Sequence, residues 1–238
     1  MLDTSRIKAI TLDLDDTLWP VWPVIERAEQ ALGAWLAVQA PRTAALLAQP
    51  ATRHEIREHV ASLHPDAKHN LSFLRRTSIA LALERSGEDA GLADAAFEVF
   101  FAARHRVTLF DDALAGLEAL ARRYPLVALS NGNADVHRVG IGAHFKASLS
   151  AQQFGVGKPD ARIFQAAARA AGVQPHEVLH VGDDAALDVL AALDCGMQAV
   201  WVNRNGQPWG HEALPHAAVT TLTELCELLA LPPQPFSL

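Results

Sequence analysis

Ile7-Lys-Ala-Ile-Thr-Leu-Asp-Leu-Asp-Asp-Thr-Leu18 begins as a strand and stops at a run of acids. The β-branched and apolar residues up to Leu12 fit a strand buried on both faces, as in a parallel sheet. The acids that follow mark its carboxyl end as the edge of a site. Side chains alternate along an extended chain, so Asp13 and Asp15 fall on one side and their carboxylates converge on a small volume. Two such groups repel each other and favour a cation. Mg2+ suits them, as a hard ion that takes carboxylates, a backbone carbonyl and phosphate oxygens. Paired acids also serve as helix caps and turn formers, so this stretch alone does not decide the chemistry.

Beyond it the chain changes character twice. From Trp19 to Arg106 apolar residues recur at helical spacing: Val24, Ile25, Ala28, Leu32, Trp35 and Leu36, then Leu71, Leu74, Ile79 and Leu83, then Ala93, Phe97, Phe100 and Phe101. Ala40-Pro41, Gln49-Pro50 and His64-Pro65 break the run into several helices. After Val107 strands and helices alternate: helix 111–123, strand 126–130, strand 147–150, helix 161–171, strand 178–181, helix 187–195 and strand 198–202. That order predicts an α/β fold with a doubly wound, Rossmann-like parallel sheet. The core is expected from residues 1–18 and 107–238, with an all-helical cap domain, 19–106, inserted between its halves. The proline-rich end, 231–238, reads as a surface strap.

Three later motifs share the first one's chemistry. Leu126-Val-Ala-Leu-Ser-Asn-Gly132 is a strand ending in Ser130, whose hydroxyl can donate to a phosphate oxygen, and a turn at Asn131 and Gly132 can aim N–H groups at the same anion. Gly155-Val-Gly-Lys-Pro-Asp160 places Lys158 where it can neutralise both a phosphate and an aspartate. Val178-Leu-His-Val-Gly-Asp-Asp-Ala-Ala-Leu-Asp188 is a third strand ending in acids; Asp183 can ligate a metal while Asp184 and Asp188 orient water or Lys158. Each has an ordinary reading: a turn serine, a solvated lysine, a helix N-cap.

Together and in this order the four motifs resemble those of the haloacid dehalogenase-like (HAD) superfamily, over essentially the whole chain. The long interval between the first and second motifs and the short one between the second and third resemble the members with a helical cap after the first motif. The resemblance implies a Mg2+-dependent phosphatase in which Asp13 is the nucleophile and Asp15 the general acid and base. It also implies a metal held by Asp13, the Asp15 carbonyl and Asp183, with Asp188 in the same acidic group, and a phosphoryl held by Ser130 and Lys158. Thr17 buttresses the loop. Dehalogenases of this fold lack the acid at the position of Asp15, which disfavours halide chemistry. A sugar phosphomutase and a non-catalytic binding protein are the alternatives. The core motifs, with Pro23-Val-Ile25, Tyr124 to Asn133 and Cys195-Gly-Met-Gln-Ala199, look most like bacterial flavin-pathway phosphatases, which hydrolyse 5-amino-6-(5-phospho-D-ribitylamino)uracil and flavin mononucleotide. On that reading Trp19, Trp22, Phe73 and Arg76 are candidates for gripping an aromatic ring system and a ribityl chain.

Composition agrees with a small-molecule enzyme. The 238 residues are 50% apolar and 20% charged, and 20 Lys and Arg against 27 Asp and Glu give a net charge of −7. That balance offers no footprint for nucleic acid or an anionic membrane; the expected partner is a small phosphate ester, with the protein a monomer or homodimer. Cys195 and Cys226 stand in no metal or disulfide spacing, and no leader or long apolar span is seen, so a cytoplasmic, unprocessed protein is expected. His54-Glu-Ile-Arg-Glu-His59 spaces its histidines five apart, one too many for a zinc-binding helix face.

Overall fold

The computed structural model, which describes residues 1–231, divides into two compact units, Met1–Pro20 with Thr108–Leu238 and Val21–Val107. The first is built on six parallel strands: β1 (Ala9–Leu12), β2 (Leu126–Ser130), β3 (Ala147–Ser150), β4 (Val178–Gly182), β5 (Gln198–Val202) and β6 (Ala217–Val219). Their order across the sheet is β3-β2-β1-β4-β5-β6. The chain thus builds outward from β1 to one side, then returns to its other side at β4. Loops leave in opposite directions at that switch point and open a crevice at the strands' carboxyl ends.

β1, β2, β4 and β5 are buried along their whole length, which explains their near-continuous apolar sequences. Ala9, Val127, Leu129, Val178, Ala199 and Trp201 share one face, where they pack against Ile163, Phe164, Ala167 and Ala168 of helix Ala161–Ala171 and against Val189 and Ala192. Asp160 caps that helix through the N–H of Arg162, and Gly172 ends it in the left-handed conformation. Helices Ala113–Ala121 and Leu222–Leu228 meet at Gly116, where an added Cβ would lie 2.5 Å from that of Leu222.

The sequence-based helix over 187–195 is replaced by a π-helical turn, Ala185–Leu190, running into a short α-helix, Ala191–Asp194. Asp184 caps the start by accepting the N–H groups of Ala186 and Leu187, its carbonyl accepts the N–H of Val189 five residues on, and Asp188 turns back to accept the N–H of Asp184. Strand β6 has no counterpart in the sequence reading; three residues are too few for a periodic signal. Of the expected strap only Leu231 is described, and it is buried; 232–238 lie outside the described residues.

The second unit is helical: Val21–Gln39, Pro41–Leu47, Pro50–Leu63, Leu71–Arg85 and Ala93–Arg104. Pro41 and Pro50 occupy first-turn positions, where the missing N–H costs nothing. Leu32, Leu36, Ile79, Leu83, Phe97 and Phe100 form its core. Inside it Glu29 accepts from both Arg57 and Arg75, and Arg75 lies 3.8 Å over the Phe100 ring. His54 and His59 are exposed on helix Pro50–Leu63, as the five-residue spacing requires. Among the described residues no helix is long and apolar enough to cross a membrane.

Phe164 is fully buried between helix Ala161–Ala171 and the sheet, so Phe164→Ala is expected to cost about 3–5 kcal/mol in urea unfolding at constant m-value.

Candidate active site

The acidic loop after β1 begins where the sheet still holds it: Asp13 N–H donates to Val181 O at 2.9 Å. The chain then folds back on itself. Leu18 N–H donates to Leu14 O, Asp16 N–H donates to Trp19 O, and Asp15 and Trp19 form a β-bridge. Asp16 takes φ 58°, a left-handed conformation that aspartate tolerates better than bulkier residues. Asp13 emerges buried at the mouth of β1, beside the ends of β2 and β4.

Lys158 reaches that point from the loop between β3 and helix Ala161–Ala171. Its Nζ donates to Asp13 Oδ1 at 2.5 Å and to Asp188 Oδ1 at 2.5 Å, and it is 6% exposed. Asn131 holds the lysine by its backbone: Oδ1 accepts Lys158 N–H at 2.7 Å and Nδ2 donates to Lys158 O at 2.8 Å. This clamp requires Gly157, where a Cβ would fall 2.4 Å from Asn131 Oδ1. Ser130, the last residue of β2, is buried, and its Oγ accepts Gly132 N–H at 3.0 Å, leaving its own proton to donate elsewhere.

Carboxylate oxygens of Asp13, Asp183 and Asp188 all lie within 4.8 Å of one another. Three carboxylates facing one ammonium leave two negative charges uncompensated, and hard oxygen donors at this spacing fit a divalent cation such as Mg2+. The proton affinities of these groups follow from their burial and mutual proximity. Burial, opposed by Lys158 and reinforced by Asp188 and Asp183, pushes the Asp13 carboxyl well above its usual range. Burial, with Asp188 and Asp16 nearby, raises Asp183 to about 7. Asp188 goes the other way: burial is outweighed by Lys158 and His180, which hold it ionised. Burial disfavours a charged Lys158 too, but Asp13 and Asp188 keep it protonated.

Asp13, Ser130, Asn131, Lys158, Asp183 and Asp188 are thus assembled by the sheet's edge, some in roles other than those read from sequence. Asp188 spends Oδ1 on Lys158 and His180 and Oδ2 on Asp184 N–H, which makes it an anchor for the lysine first. Asp184 is exposed and caps the following turn. Asn131 and Gly132 turn their groups on Lys158 and Ser130. Thr17, expected to buttress its own loop through hydroxyl-to-backbone bonds, instead donates from Oγ1 to the Asp183 carboxylate at 3.1 Å.

Trp19 is a correction. It belongs to the unit that carries the sheet, has no exposed surface, and donates from Nε1 to Asp15 Oδ1 at 2.8 Å, so it orients the acid and presents no face to a ligand. The Asp15 carboxyl is correspondingly absent from the three-carboxylate cluster. The chain crossings fall after Pro20 and Val107, slightly beyond the sequence-based boundaries; Trp19 stays with the sheet-bearing unit, its carbonyl accepting the Asp16 N–H. In the helical unit Trp22 and Phe73 are exposed, while Arg76 pairs with Asp94 and Glu98 and lies 4.4 Å over Phe97.

Sequence reasoning passed over His180, Trp201 and Arg204. His180 carries a signal, an ionisable residue inside an apolar strand. Trp201 donates to Asp183 O at 2.7 Å. Arg204 donates to Thr17 O through Nε and NH2 at 3.1 and 2.9 Å, grips Asp112 with both terminal nitrogens, and lies 3.9 Å over the Phe110 ring.

Residues 7–196 match the haloacid dehalogenase-like hydrolase family. The chain belongs to that family. Among HAD-like proteins it is 36% identical to the 5-amino-6-(5-phospho-D-ribitylamino)uracil phosphatase YigB of Escherichia coli (strain K12), over 94% of this chain and 97% of that one. It is 39% identical to the phosphoserine phosphatase of Thermus thermophilus over 150 residues, 60% of each. The crystal structure of a 2-haloacid dehalogenase from Pseudomonas syringae pv. Tomato DC3000 superposes with a TM-score of 0.89 at 42% identity, covering 94% of this HAD-like chain and 98% of that one.

Two expectations follow for the HAD-like site. The raised Asp183 proton affinity means that the folded, metal-free protein holds a proton that the unfolded chain releases. Stability therefore falls as pH rises from near 3.8 toward about 7. Mg2+ favours the ionised carboxylates, so it should raise the melting temperature more at about pH 8 than at about pH 5.5 in thermal scans. Trp19→Phe keeps the ring packing and loses the N–H to Asp15; kcat toward whichever substrate is turned over should fall about tenfold, with stability changed by about 1 kcal/mol.

Proposed function

We propose that this HAD-like hydrolase is a Mg2+-dependent phosphomonoesterase that works through a phosphorylated Asp13, with the helical unit as its cap. The observation that carries the reading is the Lys158 ammonium on Asp13 inside a cluster of three carboxylates. A phosphoryl group brings negative charge to a carboxylate nucleophile, and such a transfer requires fixed positive charge and alignment more than any other help.

In the first half-reaction a carboxylate oxygen of Asp13 attacks phosphorus in line with the ester oxygen. The P–O bond to the alcohol breaks, and Asp15 gives the departing oxygen its proton. In the second, Asp15 takes a proton from water, whose oxygen attacks the same phosphorus and returns Asp13 to a carboxylate with release of inorganic phosphate. Ester and water are consumed; alcohol and phosphate are formed. Trp19 aims Asp15 for both steps, while Ser130 and Lys158 hold phosphoryl oxygens. Asp13, Asp183 and the Asp15 carbonyl would hold Mg2+, which would supply the remaining neutralisation of the transferring group.

The substrate is inferred to be a small phosphorylated metabolite. Similarity over nearly full length to a 5-amino-6-(5-phospho-D-ribitylamino)uracil phosphatase favours that compound as first candidate; the resemblance of the core motifs to flavin-pathway phosphatases adds flavin mononucleotide. The exposed rings of Trp22 and Phe73 offer stacking surfaces suited to a flat heterocycle. The two free thiols, Cys195 and Cys226, fit a reducing, cytoplasmic setting. Resemblance to a structure named as a 2-haloacid dehalogenase favours a second reading, displacement of halide by Asp13. Halide leaves without a proton, so that reading gives no use to an acid positioned by Trp19.

Phosphate release from a panel of esters in Mg2+, run beside chloride release from 2-chloropropionate, separates the two. Phosphate release is expected, with flavin mononucleotide and the ribitylaminouracil phosphate preferred. It should fall at least about 1000-fold in Asp13→Asn and recede to background on chelation of the metal. Chloride release that survives Asp15→Asn, with no phosphate from any ester, would establish the dehalogenase instead; isomerisation of a sugar phosphate would establish a mutase.

A further inference from the structure

Beneath the active-site edge runs a chain of buried polar groups. Thr11 on β1 and His180 on β4 are register partners, so their side chains meet on one face of the sheet. Thr11 Oγ1 lies 2.7 Å from His180 Nδ1, and His180 Nε2 lies 3.0 Å from Asp188 Oδ1. The same oxygen of Asp188 receives Lys158, which also donates to Asp13. Thr11 and His180 are wholly buried and Asp188 is 1% exposed. Phe164 closes the outer side, its ring edge-on to the imidazole at 5.1 Å.

Donor and acceptor logic fixes the direction of this chain. An ionised carboxylate only accepts, so His180 donates from Nε2; Nδ1 is then bare and accepts the Thr11 hydroxyl proton. Every polar atom in the series has a partner under that one assignment, and the opposite tautomer would set two lone pairs against each other at Asp188. Asp188 is thereby held from three sides: by Lys158, by His180 and by the N–H of Asp184. Gly182 makes the close fit possible, since a Cβ there would lie 2.3 Å from Asp188 Cγ.

We propose that His180, set in its tautomer by Thr11, is a positioning residue for phosphoryl transfer: it fixes Asp188, and through it the placement of the Lys158 ammonium on Asp13. This inference rests on the phosphatase reading above. The hydrogen bonds of His180 go to Thr11 and Asp188 and not to Asp13 or Lys158, so its loss should slow the transfer step while leaving the occupancy of the substrate's organic part alone. A pair acting through one route should also be non-additive.

The test uses the full-length protein with Mg2+ and p-nitrophenyl phosphate, comparing wild type with His180→Phe, His180→Gln, Thr11→Val and the Thr11→Val/His180→Phe double variant. Gln places an amide N–H close to the position of Nε2. Expected is a fall in kcat of about 10- to 100-fold for His180→Phe with KM changed less than about threefold. His180→Gln should recover most of that loss, Thr11→Val should show a smaller one, and the double variant should be no worse than His180→Phe. Independently, 15N NMR of the imidazoles at neutral pH, with the His180 signal assigned by its absence from His180→Gln, should show a neutral Nε2–H ring. Wild-type kcat in a folded His180→Phe, or an Nδ1–H tautomer, overturns the proposal. Should His180→Phe fail to fold, Thr11→Val and the NMR signature decide alone. A wild type that releases no phosphate from any ester refutes the phosphatase reading itself, and this inference falls with it; an active wild type with an indifferent His180 refutes only the inference.

Discussion

The Nζ of Lys158 sits 2.5 Å from Asp13 and 2.5 Å from Asp188, with all three side chains withdrawn from water. Charges in such a place are unfavourable one by one, since burial strips each of solvent and the ion pair returns only part of that loss. The surrounding structure is arranged to keep every one of them bonded: Asn131 grips the lysine backbone, the Asp184 N–H and His180 grip Asp188, and the β4 carbonyl of Val181 grips the backbone of Asp13. The stability that tolerates this cluster comes from elsewhere, from the apolar faces of β1, β2, β4 and β5 and the helices packed on them.

Topology supplies the convergence. Asp13, Ser130, Lys158 and Asp183 are far apart in sequence and belong to loops and strand ends that a parallel sheet must place on one edge. Because β1 lies between β2 and β4, its carboxyl end is flanked by Ser130 on one side and by Asp183, just past β4, on the other. A carboxylate there is reached by a lysine from one neighbouring loop and by acids from another without any strained reach.

That edge was legible in the sequence because it is written in strand ends: apolar runs that stop at Asp13, Ser130 and Asp183 need only periodicity and polarity to be recognised. Limits of β2, β3 and β5 coincide with the sequence-based ones for the same reason. What was not legible depends on partners that periodicity does not encode. Trp19 reads as an aromatic beside a catalytic loop, and only the folded bridge to Asp15 shows that its ring is inside and its N–H is spent. Arg204 and Trp201 act on main-chain carbonyls of Thr17 and Asp183, targets that any residue type would present. The π-helical turn after β4 escaped because Ala185 to Leu190 carries an ordinary helical composition, which does not distinguish a five-residue hydrogen-bond step from a four-residue one.

Arg204 shows how firmly the acidic loop after β1 is tied down on its own side. Its guanidinium holds the Thr17 carbonyl and the Asp112 carboxylate together, and Asp112 in turn accepts the N–H of Leu222 at the start of the last helix. Phe110 N–H donates to Leu18 O, and its ring lies under the same guanidinium. The two stretches through which the chain leaves for the helical unit and comes back are therefore fastened to each other, to the loop after β5 and to the start of the last helix within the sheet-bearing unit. An ion pair of this kind at a protein surface would contribute little, but Arg204 and Asp112 are largely shielded, and the fork geometry adds direction to charge. The position of Asp13 is thereby settled by bonds that stay within the sheet-bearing unit, independent of the sequence of the helical one.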